Sequence, residues 1–253
     1  VRDFSTYGNN ATLFNTVSAN PFLNLTGRLG TAMSFDGIND NITGVALPIS
    51  GNANLTIEGW MRSTSNGTIQ CAISIGDSRV ASQAFGICFH ADTDATSVRA
   101  GRLGVFSAGA QSAYTAANLI LPNTWYHIAV AKASGPMNTT TSIYLNGVNQ
   151  TIVAGQITSP NINSTLPYVL GNFKTGGTYF NGSIDEIRIY NRTLSADEIL
   201  SHYQQAYNNL KSNETNYRNN YTVAVTIGND YALNNTILSN LLQVKPLQAP
   251  NFY

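Results

Sequence analysis

Charge is scarce in this chain. Of 253 residues only 10% are Asp, Glu, Lys or Arg, and 13 acids balance 13 bases. That excludes a basic face for nucleic acid and an acidic or basic tail. Glutamate is rarer still, with only Glu58, Glu186, Glu198 and Glu214. Glycosidic cleavage needs two carboxylates on one face. Asp185 and Glu186 are adjacent, so in a strand their side chains point to opposite faces. His90, His127 and His202 are scattered, and no Ser/His/Asp pattern accompanies them. Catalysis is therefore not expected. No apolar run approaches the roughly 18 residues of a membrane span. The chain opens on Val1 without a leader-like stretch, which fits a mature or trimmed product.

Asparagine is plentiful instead, at 31 residues. With 47 Ser plus Thr, chance gives about six Asn-x-Ser/Thr sites. Thirteen are present: Asn10, Asn24, Asn41, Asn54, Asn66, Asn138, Asn149, Asn163, Asn181, Asn191, Asn213, Asn220 and Asn234. Asn/Thr-rich turns make some sequons by accident. The excess points to N-glycosylation, with glycans replacing charge as the solubilising coat, and so to an extracellular or cell-surface location.

Two cysteines are present, Cys71 and Cys88, on either side of Gly76-Asp77-Ser78-Arg79. The midpoint between them falls at that loop, so they can face each other across two antiparallel strands. A disulfide fits an oxidising compartment, and two small buried apolar side chains are the other reading. A zinc site would need more ligands than the nearby His90 supplies.

Several short runs have strand character. Leu55-Thr56-Ile57-Glu58-Gly59-Trp60-Met61 alternates with period two, and Asn146-Gly147 between apolar runs predicts a hairpin. Asn181-Gly182 has the composition of a tight turn, with Ile184 to Tyr190 as the strand after it. Ser195-Ala196-Asp197-Glu198 is a capping box and opens an amphipathic helix predicted over Ser195 to Asn209. Its apolar face is Leu194, Ile199, Leu200, Tyr203 and Tyr207.

In order along the chain, Ala32-Met33-Ser34-Phe35-Asp36-Gly37, Trp125-Tyr126-His127-Ile128-Ala129-Val130, Leu170-Gly171 and Gly182-Ser183-Ile184-Asp185-Glu186-Ile187-Arg188-Ile189-Tyr190-Asn191-Arg192-Thr193-Leu194-Ser195 resemble the landmarks of the laminin-G-like (concanavalin A-like lectin/glucanase) jelly-roll family. The resemblance implies an all-β fold, a two-sheet antiparallel jelly-roll sandwich with one short C-terminal-side helix and a β-rich tail. It covers residues 1–210. Trp60 and Trp125 then belong to the core rather than to sugar platforms, and His127 is structural. Related glucanases carry Glu-x-Asp-x-Glu on one strand face, a pattern this chain lacks.

Many laminin-G-like domains bind calcium at a rim. The resemblance makes Asp36, Asn39, Asp40 and Asp185 candidate calcium ligands; the alternative is turn aspartates capping backbone amides. Tyr114, Phe173, Tyr179 and Phe180 are candidate exposed aromatics for a glycan.

Asp3 to Leu13 resembles the family's second landmark, so the family's first strand is missing from the matched region. Residues 211–220 are polar and expected to be a linker, and residues 221–253 form a C-terminal β tail containing the run Tyr221 to Gly228. A sandwich one strand short could take that run back in cis or accept it from a neighbour, and exchange between neighbours would build a filament. The other reading of the tail is a small appendage. Two functions follow. One is an extracellular N-glycosylated structural or adhesive surface protein, a subunit of a filament, pilus, surface layer or virion coat, whose partners are copies of itself. The other is a lectin-like module of a secreted adhesin or enzyme, whose partners are surface glycans.

Overall fold

Period-two alternation, repeated along many short runs, gives this chain its layers. The computed structural model describes residues 10–14, 23–24, 27–64, 69–90, 101–107, 110–155, 159–173 and 178–204, together with strand backbone at 220–221, 224–229, 232–238 and 242–243. The chain forms two units, Val1–Gln204 and Gln205–Tyr253.

In the first unit the strands are β1 (Thr12–Phe14), β2 (Leu23–Asn24), β3 (Ala32–Asp36), β4 (Asn41–Ala46), β5 (Leu55–Ser63), β6 (Gln70–Gly76), β7 (Ala84–His90) and β8 (Arg102–Ser107). They continue as β9 (Ala110–Tyr114), β10 (Tyr126–Lys132), β11 (Thr141–Leu145), β12 (Val148–Gln150), β13 (Ala154–Gly155), β14 (Pro167–Leu170) and β15 (Asn181–Tyr190). Two helices accompany them, α1 (Met137–Thr140) and α2 (Ala196–Tyr203). The front sheet has eight strands in the order β1-β4-β14-β6-β7-β8-β9-β13, and the back sheet seven in the order β12-β11-β10-β5-β15-β3-β2. All pairings are antiparallel. This is the jelly-roll sandwich that the sequence led us to expect.

One parity of each strand makes the core. Ile57 and Met61 of β5, Ile128 and Val130 of β10, Phe85, Ile87 and Phe89 of β7, and Leu103 and Val105 of β8 pack into one cluster. The other parity of β5 carries Thr56, Glu58 and Trp60, all buried as well. Their face of the back sheet is covered by α2, which gives the unit a third layer. Leu194 and Ile199 pack there against Ala129, Ala131 and Tyr144.

The α2 start is as its sequence predicts. Ser195 Oγ accepts from Glu198 N at 3.3 Å, and Glu198 Oε2 accepts from Ser195 N at 2.8 Å. Arg192 adds a two-pronged contact to the same glutamate at 2.9 and 3.2 Å. The helix stops at Tyr203; residues 205–210, with Tyr207, lie outside the described residues. Asn146 and Gly147 both take positive φ, 51° and 78°, and turn β11 into β12, the backbone that this dipeptide favours.

Asn181-Gly182 makes no turn. Both residues lie inside β15, with Gly182 between Phe35 of β3 and Ser63 of β5. Glycine is needed because a Cβ would collide with the Arg62 backbone carbonyl. Farther along β15 the register slips between Asp185 and Arg188. Glu186 sits at φ 51° in this bulge, which lies over Gly59; a Cβ there would be 2.5 Å from Ile187 Cδ1. The inward step from Ile184 to Ile187 is three residues rather than two, and that is the bulge as the sequence writes it.

In the second unit β16 (Asn220–Tyr221) pairs with β19 (Leu242–Gln243), and β17 (Ala224–Asn229) with β18 (Ala232–Leu238). The apolar run 221–228 thus carries β17, whose partner is β18. Most of the expected linker, 211–219, lies outside the described residues, as do residues 1–9.

Candidate functional site

The outer face of the front sheet is built around the two cysteines. Cys71 and Cys88 pair across β6 and β7 and form the disulfide. The bond bridges a sequence separation of 17, for which loop-closure entropy gives a stabilisation of about 3 kcal/mol. Phe173, Ala84 and Phe106 pack with it. Phe173 lies on Gly86, where a Cβ would meet the ring at 2.8 Å.

The same row continues across the sheet. Cys88 pairs with Gly104, and Gly104 with Tyr114. Tyr114 is half-buried, and the Arg102 guanidinium stands 4.7 Å from its ring centroid, a cation–π distance. Along this row the disulfide and Gly104 are buried, and the arginine-backed Tyr114 is the half-buried member that remains open to solvent. Flat apolar rings beside a fixed hydrogen-bond donor are the elements with which a polar ring such as a sugar is held.

The four aromatics named from sequence do not stay together. Tyr114 and Phe173 lie on this face, with Phe173 only 9% exposed. Tyr179 is half-buried. Phe180 is no rim residue: it is fully buried in the core against Phe35 and Phe89, with ring centroids 6.2 and 5.4 Å away.

The candidate calcium ligands also separate. Asp36 Oδ1 accepts from Ile38 N at 2.8 Å and Asn39 N at 3.3 Å, so this carboxylate caps its own turn. Asp40 is wholly buried, and its Oδ2 accepts from Asp36 N at 3.0 Å; burial raises its pKa. Asp185 lies four residues along β15 from Asn181, the partner of Asp36, or about 13 Å away at strand rise. Its Oδ2 accepts from Leu29 N at 2.8 Å, holding the turn before β3. Asp36, Asn39 and Asp40 share one turn, and Asp185 does not join them. Among the described residues, no three His, Cys, Asp or Glu side chains gather as a metal-binding group.

Beneath α2 lies a cluster that the sequence did not disclose. Glu58 is fully buried on the outer parity of β5. Its Oε1 is 2.7 Å from His202 Nδ1, 3.1 Å from the Tyr190 hydroxyl and 3.7 Å from Arg188, and its Oε2 is 3.9 Å from His127 Nε2. Burial raises the Tyr190 pKa, and the Glu58 charge adds to the rise. Trp60 joins this layer with Tyr203 and His127, ring centroids 5.8 and 5.4 Å away, and Arg28 stands 4.5 Å above it. The only sequence signal was a glutamate inside an apolar strand.

Burial holds the His127 pKa down at about 4, from an ordinary 6.5, against the pull of Glu58. The histidine is 3% exposed and folds neutral. Below pH 6.5 the unfolded chain takes up a proton there that the folded chain refuses. Stability should therefore fall as pH drops from about 6.5 to about 4, by about 3 kcal/mol in all, and then level off. Urea unfolding followed across that range checks this, and His127→Gln should flatten that part of the profile.

Thirteen sequons fall into groups. Asn10, Asn54, Asn138, Asn149 and Asn191 are exposed; Asn41, Asn163 and Asn181 are half-buried. The side chains of Asn24, Asn66, Asn213, Asn220 and Asn234 lie outside the described residues. Among the described residues no helix is long and apolar enough to cross a membrane.

The architecture has counterparts among solved structures. A native heptameric SAP-like pentraxin from Limulus polyphemus matches with a TM-score of 0.53 at 15% identity, over 67% of this chain and 80% of that one. Domain 4 of AbnA, a GH43 extracellular arabinanase from Geobacillus stearothermophilus solved in complex with arabinotriose, matches with a TM-score of 0.52 at 18% identity, over 77% and 87%. The botulinum neurotoxin serotype G binding domain matches with a TM-score of 0.58 at 18% identity; the match covers 88% of this chain and 54% of that one. At these identities the likeness is one of fold. No curated protein sequence matches the chain. The family model for the concanavalin A-like lectin/glucanases superfamily matches residues 36–200. With the sandwich, its short capped helix and its cross-strand disulfide in place, the chain belongs to the concanavalin A-like lectin/glucanases superfamily.

Proposed function

We propose that this protein is an extracellular, N-glycosylated adhesive module that binds surface glycans through the outer face of its front sheet and catalyses no reaction. The observation that carries the reading is Tyr114, held by Arg102 beside Gly104 on a sheet face already ordered by the disulfide. A sugar ring can lie against the tyrosine and accept from the guanidinium. The arabinanase domain with its arabinotriose and the neurotoxin binding domain lend support as proteins of this fold whose names record binding. Among the described residues no strand carries two carboxylates on one face, which supports a non-catalytic role.

A glycan array followed by calorimetry on the best hit tests the reading. Tyr114→Ala should weaken binding at least about tenfold, the loss of one stacking contact and its cation–π support, with the unfolding midpoint little changed. Equal affinity in the variant would overturn the site; no glycan bound by the full chain would overturn the function.

A second reading, self-assembly through the C-terminal unit, is favoured by that unit's make-up. Among the described residues it has two-stranded pairings only, and an isolated two-stranded hairpin is marginal in water. Such a unit gains by packing on a third strand, including one from another copy. Full chain and residues 1–204 should then differ in oligomeric state by light scattering, and two monomers would end this reading.

A further inference from the structure

The exposed sequons are not spread evenly. Leu55 pairs with Lys132 and Lys132 with Thr141, while Tyr190 pairs with Thr56. These rows mark one end of the back sheet. Asn54 directly precedes Leu55, Asn138 lies three residues before Thr141, and Asn191 directly follows Tyr190. Three exposed acceptor asparagines therefore share one end of the sandwich. Hydrogen bonds tie their segments together there. Ser134 N donates to Asn54 Oδ1 at 2.7 Å, Thr56 Oγ1 to Arg192 O at 2.9 Å, and Thr193 Oγ1 to Lys132 O at 2.9 Å.

Two of the three half-buried sequons differ in the atom that matters, and the third in its packing. The sugar is carried by Nδ2. In Asn41 that nitrogen donates to Asn39 O, and in Asn163 to Gln83 Oε1, both at 3.4 Å. Asn181 is packed against Gly37, and its Oδ1 takes a 2.6 Å bond from Thr64 Oγ1. At Asn54 the bond to Ser134 uses Oδ1 and leaves Nδ2 for the sugar.

We infer that Asn54, Asn138 and Asn191 carry N-glycans that together cap this end of the sandwich, whereas Asn41, Asn163 and Asn181 are bare in the folded, secreted protein, because a glycan attached there before folding would displace the contacts that the fold makes with them. The inference rests on the glycosylated-module reading above. The transfer joins Asn Nδ2 to C1 of a sugar supplied by a lipid-pyrophosphate-linked oligosaccharide. The C1–O bond to pyrophosphate breaks, and the proton lost from Nδ2 leaves with the pyrophosphate or the transferase's base. Two of the acceptor sequons, at Asn54 and Asn191, use Thr56 and Thr193, whose hydroxyls are engaged in the finished fold. Transfer at those two therefore precedes closure of that end.

The test is site-by-site occupancy of the full chain secreted from a glycosylating host. An N-glycanase working in heavy-oxygen water converts each occupied asparagine to labelled aspartate, which peptide mass spectrometry reads. Occupancy at Asn54, Asn138 and Asn191 should exceed that at Asn41, Asn163 and Asn181 by about tenfold or more. The unglycosylated folded chain, offered to the purified transferase, should accept sugar at Asn54 and Asn191 only after denaturation. Equal occupancy in the two groups overturns the inference, as does ready modification of the folded chain at Asn54 or Asn191. A chain without any glycan overturns both the cap and the coat, while the Tyr114 binding measurement stands apart from all of these outcomes.

Discussion

Gly182→Ala should strip the sandwich of much of its stability, whereas Gly30→Ala should cost about 1 kcal/mol and fold normally. The two substitutions add the same methyl group. At Gly30 nothing lies within 4 Å of the new atom, so only the φ of 70° is strained. At Gly182 the new atom lands on the Arg62 carbonyl of the neighbouring strand. Backbone cannot rotate away as a side chain can, and β15 is fixed on both sides, by β3 and by β5. Relief requires separating β15 from β5, with a cost of about 4 kcal/mol or more, a large part of the net stability of an ordinary domain. Circular dichroism melts of the two variants decide the matter; a Gly182→Ala protein that melts like the parent would show that the strands part more easily than their pairing implies.

Glu58→Ala should be the most damaging change outside the glycines, at about 3–5 kcal/mol. It removes the acceptor shared by His202, Tyr190 and Arg188 and opens a hole under α2. Polar groups left in a dry layer lose their partner without regaining water. Glu58→Leu should be milder than Glu58→Ala, because it refills the space. Glu58→Gln should be milder still, because it keeps an acceptor for the Tyr190 hydroxyl. Denaturant unfolding ranks the three. Limited proteolysis just after Tyr203 should quicken in the same order, since the lost contact is one that holds α2 down. If Glu58→Ala proved neutral, the carboxylate would not be what fastens the helix.

The sequence displayed much of the sandwich because its signals were local. The Cys71–Cys88 pairing followed from a hairpin whose midpoint is a turn, the Ser195 capping box from four residues, and the Asn146-Gly147 turn from two. What stayed hidden depended on contacts far along the chain. Alternation in β5 set Trp60 apart from Ile57 and Met61, but it could not tell which parity faces the other sheet. The answer lies with α2, which covers the second face, so Trp60 is buried yet belongs to the helix layer. Asn181-Gly182 has the composition of a turn, and only the approach of Arg62 explains its place in a central strand. Phe180 looked exposed because it follows a polar stretch; Phe35 and Phe89, distant in sequence, enclose it. The arginine behind Tyr114 was equally invisible, since a cation and a ring twelve residues apart meet only through the β8–β9 pairing.

The borders of the two sheets carry one more consequence. The front sheet ends in β1, with 3 residues, and β13, with 2; the back sheet ends in β12, with 3, and β2, with 2. Among the described residues these borders offer a foreign strand two or three residues of backbone to pair with, too little to template cross-β growth. The folded sandwich should therefore tolerate crowding at high concentration without seeding amyloid.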